Sequence, residues 1–240
     1  MSHANNKQGF TLIELMLAMG FVSALLIAIA MTIIQIGSIY NKGLTLKEVN
    51  QAGRSLTSEF QKSIAQNKPF NVNPGAGSRY ITQPWGGRLC IGHYSYIWNY
   101  GVSIDPTKLD PNRNVYNNSN DLIRFIKVFD PNSNYCTIDS TTNKYPSVSL
   151  SNAVELLDVG EHNLAVHYFK ISSAALMTDN KTGQQLYSIE FTIGTNDQLA
   201  LTTSSTGDIT CKAPSEKGAD PAYCSVDRFN IVTLAGNSVQ

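Results

Sequence analysis

The apolar residues of the chain are concentrated near its amino terminus. From Leu15 to Asn41, 27 residues follow one another without an Asp, Glu, Lys or Arg. As an α-helix this run would measure about 40 Å, more than the roughly 30 Å hydrocarbon core of a bilayer. It is too long for the hydrophobic region of a secretory signal peptide, and no A-x-A-like cleavage site follows it. The pattern therefore predicts a transmembrane helix preceded by a short polar segment, residues 1–9.

Beyond this run the pattern becomes that of an amphipathic helix. Apolar residues recur every three or four positions, and this spacing places them on one helix face. Those positions are Leu46, Val49, Gly53, Leu56, Phe60 and Ile64. Lys68-Pro69 and the Pro and Gly that follow are typical of a helix end. We therefore expect one helix over residues 10–68, with a membrane part at 10–40 and a part at 41–68 that packs on a sheet.

The second half of the chain alternates apolar and polar residues as β-strands do. The segments that do so most clearly are 122–129, 163–171, 185–193 and 229–234. A polar turn at Asp179–Gly183 separates the second from the third, which predicts an antiparallel pair. The chain is therefore expected to be an α+β protein whose long helix packs on an antiparallel β-sheet head at 121–240. Residues 69–120, rich in Gly, Pro, Asn and Tyr, are expected to form a variable loop region.

This loop region contains both tryptophans of the chain. Tyr94, Tyr96, Trp98 and Tyr100 occupy every second position and would share one face of a strand. Exposed aromatic residues would suit sugar stacking or protein contact, whereas buried ones would be core. We favour burial, and adhesive or glycan contact is the alternative.

One acidic residue, Glu14, lies at the start of the apolar run. A carboxylate in a membrane segment costs roughly 2–3 kcal/mol on insertion scales, so such residues usually have a function. The string Gly9-Phe10-Thr11-Leu12-Ile13-Glu14 resembles the class III signal of type IV pilins and pseudopilins. That signal has a small residue before the cleaved bond, Phe as the first mature residue and Glu as the fifth.

The resemblance implies that a membrane prepilin peptidase cuts between Gly9 and Phe10 and then N-methylates Phe10. Cleavage would place the α-amine of Phe10 one helical turn from Glu14. In a filament the amine could instead pair with Glu14 of a neighbouring subunit and set the axial register. Either pairing lowers the cost of a buried charge. Lys7 agrees with a leader (1–9) held in the cytoplasm.

The expected function is that of a structural subunit, a minor or major pilin, of a type IV pilus that serves adhesion, motility or DNA uptake. The implied partners are other pilin subunits through the N-terminal helix, the peptidase and an inner-membrane assembly platform. The subunit would be single-pass in the cytoplasmic membrane with its head outside, and then part of an extracellular filament. A pseudopilin of a type II secretion system is the alternative within this class. A membrane-tethered adhesive or glycan-binding domain is the alternative from another class.

The four cysteines suit an exported head, and no C-x-x-C motif occurs among them. Four cysteines allow three pairings, and we favour two bridges over free buried thiols. A bridge between Cys211 and Cys224 would close a short C-terminal loop, as in many pilins. Cys90 would then pair with Cys136.

A calcium loop is a weak alternative for one polar segment. Asp110, Asn112, Asn114 and Asp121 have the spacing of calcium ligands, but Val115 replaces the Gly that such a loop needs. Asp-Pro-Asn also opens turns, and the string recurs at Asp130. We therefore favour turns and expect no cofactor.

Other chemistry has little support in the sequence. His162 and His167 would lie on opposite faces of a strand, which does not suit a metal site with Glu161. No hydrolase, metalloprotease or nucleotide-binding motif occurs, so we do not expect an enzyme. The 18 Lys and Arg balance 18 Asp and Glu, and no basic patch with stacked aromatics predicts nucleic-acid binding.

Overall fold

The computed structural model describes residues 11–75, 77–105, 112–117, 121–139, 144–157, 160, 163–173, 184–205 and 207–236. The chain divides into two compact units, Met1–Asn41 and Lys42–Gln240. One long helix, α1 (Leu12–Ala65), contributes to both. The second unit, which we call the head, contains the remaining helices and strands. The expected α+β class is confirmed.

The described residues of the head form ten strands in antiparallel sheets. Their bounds are β1 Tyr80–Gln83, β2 Gly86–Ile91, β3 Tyr94–Asn99, β4 Phe125–Phe129, β5 Ala153–Leu157, β6 Leu164–Ser173, β7 Gln185–Thr195, β8 Leu201–Thr203, β9 Ile209–Cys211 and β10 Val226–Ala235. The short helical segments are α2 (Gly101–Ile104) and two 3₁₀ turns, Asn134–Cys136 and Leu150–Asn152. One sheet has the order β1-β2-β3-β4-β5, a second has the order β10-β7-β6, and β8 pairs with β9.

The second half of α1 forms the centre of the head core. Val49, Leu56 and Phe60 are at most 1% exposed and belong to a cluster with residues of both large sheets. The ring of Phe60 lies 5.1 Å from that of Tyr96 and 5.4 Å from that of Phe169. Because one ring contacts strands of both sheets, the helix holds the two sheets together.

The amphipathic stripe is confirmed with one exception. Val49, Gly53, Leu56, Phe60 and Ile64 are buried, whereas Leu46 is 41% exposed. The neighbouring Thr45 is buried in its place. Because Thr45 is small and polar, hydrophobic periodicity did not predict its burial.

The region expected to be a variable loop, 69–120, contains three strands, β1, β2 and β3. Gly86 and Gly87 begin β2. A Cβ at Gly86 would lie 2.1 Å from the carbonyl oxygen of Trp98, and one at Gly87 would lie 2.3 Å from its ring. These glycines therefore permit close packing on the neighbouring strand, which sequence alone does not separate from turn formation.

The four predicted strands occur with shifted ends. The strand expected from residue 122 begins at Phe125, since Leu122 forms only an isolated bridge with Val115. The antiparallel pairing of β6 with β7 is confirmed. Leu164 lies opposite Thr195 at one end of the pair, and Ser173 lies opposite Tyr187 at the other. The turn expected at Asp179–Gly183 lies outside the described residues.

Candidate functional site

The first unit exposes an unbroken apolar surface along α1. No residue of 11–41 is buried, and Leu17, Ile34 and Ile39 are 74%, 72% and 73% exposed. By length and composition α1 is the one helix, within the described ranges, that could cross a membrane. A helix that is apolar on every side needs an apolar environment all round. This surface therefore requires lipid or other protein chains.

A carboxylate lies at the beginning of this surface. The Glu14 Oε2 accepts hydrogen bonds from the backbone N–H of Thr11 at 3.1 Å and from its hydroxyl at 2.9 Å. In return the Glu14 N–H donates to the Thr11 Oγ1 at 3.4 Å. This is a reciprocal capping box, with Thr11 as the N-cap of α1. The string T-x-x-E before an apolar run is the sequence signature of such a box, in addition to its place in the prepilin-like string.

The capping box leaves one carboxylate oxygen of Glu14 available. Both bonds from Thr11 go to Oε2, and Oε1 accepts none from the residues that the structure describes. A helix N-terminus also favours negative charge at this position. Glu14 can therefore remain ionised as a helix cap and still accept a cation. Gly9, Phe10 and Lys7 lie outside the described residues.

The aromatic residues of β3 are mainly core. Tyr96 and Trp98 are fully buried, Tyr100 is half-buried and Tyr94 is 37% exposed. The ring of Trp98 lies 4.4 Å from that of Phe169, across the two sheets. Burial is therefore confirmed for Tyr96 and Trp98, and these two do not form an adhesive surface.

An ion pair joins α1 to the sheet beside these rings. The Glu59 Oε1 accepts hydrogen bonds from the Tyr96 hydroxyl at 2.6 Å and from Lys127 Nζ at 2.7 Å. Burial would raise the pKa of Glu59, but these two donors and the charge of Lys127 outweigh burial and lower it. Burial, together with the hydrogen bond to Glu59, raises the pKa of the Tyr96 hydroxyl. The arrangement fixes the helix on β3 and β4.

Two disulfides close loops of the head. Cys90 pairs with Cys136 and Cys211 pairs with Cys224, the arrangement favoured from the sequence. Lys42 Nζ donates a hydrogen bond to the carbonyl oxygen of Cys224, so the first residue of the head contacts the C-terminal loop. Each bridge restricts the unfolded chain and so stabilises the folded head.

No protein-family model, curated protein or solved structure matches the chain. The N-terminal string, the exposed apolar helix and the disulfide-bonded head are thus the features that point to a function.

The calcium hypothesis fails at Asn114. Its Oδ1 accepts hydrogen bonds from Nε and Nη2 of Arg88, at 3.1 and 2.7 Å, and so faces a cation. Asn112 and Asp121 are described, but Asp110 lies outside the described residues. The second copy of the string behaves as a turn, because Asp130 accepts hydrogen bonds from the backbone N–H groups of Asn134 and Tyr135, each at 2.9 Å.

Arg88 and His167 are buried titratable residues that the functional predictions did not use. Burial lowers the pKa of Arg88 to about 10, and its Nη1 donates to the carbonyl oxygens of Tyr135 and Pro146. Burial likewise lowers the pKa of His167 to about 4, while its Nε2 lies 3.0 Å from the carbonyl oxygen of Thr195. Arg88 therefore holds loop residues against β2, whereas His167 bonds within the sheet of β6 and β7. His162 and Glu161 lie outside the described residues.

Proposed function

We propose that the chain is a structural subunit of a type IV pilus, either a minor or a major pilin. It is cleaved between Gly9 and Phe10, anchored by the first half of α1 and then assembled into an extracellular filament. The observation that carries this proposal is an apolar helix, exposed along residues 11–41, that begins at one ionisable residue, Glu14.

The exposed half of α1 suits two different surroundings, one before assembly and one after it. Before assembly the lipid bilayer would surround it, and its length is sufficient for one crossing. In a filament the same surface would pack against the helices of other subunits. Both environments satisfy the requirement that an all-round apolar helix be buried.

Glu14 supports the register part of the proposal. Its Oε1 accepts no hydrogen bond from the described residues, so it can receive the α-amine of Phe10 from a neighbouring subunit. An unpaired charge inside an apolar bundle would cost several kcal/mol. A subunit that docks out of register leaves both charges unpaired, and one that docks correctly pairs them.

The test is to express the full chain with a prepilin peptidase and the assembly machinery, as wild type and as Glu14→Ala. Mass spectrometry of the wild-type subunit should show an N-methylated amino terminus at Phe10. Sheared surface filaments should contain the wild type and be depleted of Glu14→Ala, while both chains insert into the membrane. The exposed Glu216 provides the matched control, Glu216→Ala, which should assemble normally.

An uncut Met1 would contradict the pilin proposal and favour a plain membrane-tethered domain. Normal incorporation of Glu14→Ala would leave processing intact and remove the charge pair from the mechanism. Retention of processed subunits in the envelope, with secretion of a type II substrate lost on deletion, would favour the pseudopilin alternative.

A further inference from the structure

We propose that the head binds an acidic saccharide at two open clefts that meet at Arg79. The first cleft, about 370 Å³, lies at the end of α1 and is lined by Gln66, Lys68, Phe70, Arg79 and His93, among others. The second, about 450 Å³, is lined by Arg79, Asn132, Thr137 and Tyr145, among others. This site is distinct from the apolar helix and does not depend on the proposed filament function.

The backbone at the junction of the clefts is held firmly. The Arg79 N–H donates to the carbonyl oxygen of Asn71 at 2.7 Å, and the Arg79 carbonyl accepts from the Cys90 N–H at 2.8 Å. Cys90 lines the first cleft and its disulfide partner Cys136 lines the second. The covalent bridge therefore fixes the two clefts next to each other, and little ordering is needed when a ligand binds.

The charge of the clefts favours an anion. Lys68 and Arg79 line the first cleft, Arg79 also lines the second, and no Asp or Glu is among the described residues that line either cleft. The side chain of Arg79 makes no hydrogen bond or ion pair with the residues that the structure describes. A guanidinium with unused donors on a fixed stretch of backbone matches a carboxylate, which it can bind through two parallel hydrogen bonds.

The polar lining favours a sugar body around that carboxylate. Each cleft offers a side-chain amide that is not bonded within the described part of the chain, Gln66 in the first and Asn132 in the second, whereas the Asn67 amide of the first cleft donates to the Ser63 carbonyl oxygen. Amide groups donate to and accept from ring hydroxyls, and the ring of Tyr145 provides a surface for the apolar face of a sugar. Two adjoining open clefts suit a chain of sugar units better than one compact anion.

The experiment uses the full chain in detergent micelles and a fluorescently labelled hexamer of galacturonic acid, followed by fluorescence polarisation at low ionic strength. The fully methyl-esterified hexamer has the same rings without the charge, and inorganic phosphate has charge without the rings. We expect saturable binding of the acid hexamer, at least about tenfold weaker binding of the ester, and no competition by phosphate at equal charge concentration.

Variants separate a specific site from general attraction. Arg79→Ala should weaken hexamer binding by about tenfold or more, because a charge-assisted hydrogen-bonded pair is lost. Arg54→Ala removes the same charge from the exposed face of α1, outside both clefts, and should leave binding unchanged. Equal binding of ester and acid, displacement by phosphate alone, or equal losses in both variants would each overturn the proposal.

A measurement on the unmodified chain covers the case in which Arg79→Ala does not fold. Phenylglyoxal modifies arginine side chains, and peptide mass spectrometry reports the rate at each position. The acid hexamer should slow the modification of Arg79 and not that of Arg54. Equal rates at Arg79 with and without the hexamer would contradict the site.

Discussion

The two halves of α1 share one backbone conformation and differ in what surrounds their side chains. In the first half, residues 12–41, no side chain is buried. In the second half a stripe that includes Leu56 and Phe60 is buried, and the cations Lys47 and Arg54 are exposed. A stripe lets a helix pack on its own head, whereas an apolar surface all round requires an environment that the head does not supply. Periodicity, and not apolar content, therefore separates the half of α1 that packs in the head from the half whose side chains stay exposed.

The largest effect is expected from two variants, each of which removes a phenylalanine ring from one half of α1. Phe60 is fully buried, so Phe60→Ala should lower the free energy of unfolding of the head by about 3–5 kcal/mol. Phe21 is 68% exposed, so Phe21→Ala should change it by less than about 0.5 kcal/mol. Urea unfolding of the full chain in micelles, followed by the fluorescence of the buried Trp98, measures both values.

The same two variants should also differ in how strongly their chains associate. Phe21→Ala should weaken association between chains, because it removes exposed apolar surface, and Phe60→Ala should not do so while the head stays folded. Equal losses of head stability in the two variants would show that the two halves are not distinct environments.

Acid should lower the stability of the head because His167 is buried. Burial lowers the pKa of His167 to about 4, against about 6.5 for an exposed histidine. The unfolded chain binds a proton below about pH 6.5 and the folded head does so only near pH 4, so stability is lost as the pH falls through this window. The loss from this group should reach about 3 kcal/mol.

The check is the free energy of unfolding between pH 7 and 4 for the wild type and for His167→Gln. The variant should show a shallower slope in this interval. Parallel slopes would remove His167 as the source of acid sensitivity, and an NMR titration of the wild-type imidazole gives a direct reading if the variant is too unstable.

Sequence patterns predicted the long helix and four of the strands, but they missed the three strands within 69–120 and the tertiary contacts of buried polar residues. The ends of α1 follow from apolar composition and Pro69, and the pairing of β6 with β7 follows from alternation in each. The hydrogen bonds between Arg88 and Asn114 join residues that nothing in the sequence pairs, and they excluded a calcium ligand. The capping box of Thr11 and Glu14, by contrast, is local and is encoded by the T-x-x-E motif.

Glycine shows the same contrast on the smallest scale, since one residue type has different surroundings in the two halves. A Cβ at Gly37 would meet nothing within 4 Å, whereas one at Gly53 would lie 2.0 Å from the ring of Phe229. Gly37→Ala should therefore stabilise the helix by up to about 1 kcal/mol through its better helix propensity. At Gly53→Ala the same gain is opposed by overpacking, because the ring of Phe229, which stacks on Phe191 at 5.2 Å, would have to shift.

Overpacking in a filled core costs about 1–3 kcal/mol, so Gly53→Ala should lower the stability of the head by about 1 kcal/mol net. Urea unfolding of the head measures this loss, and the helical circular dichroism signal at high temperature measures the gain at Gly37. Opposite signs for one substitution in one helix would show that the head, and not the helix, makes Gly53 necessary. Stabilisation in both variants would mean that the ring of Phe229 moves aside, and that the close approach of α1 to β10 is not required for the packing of the head.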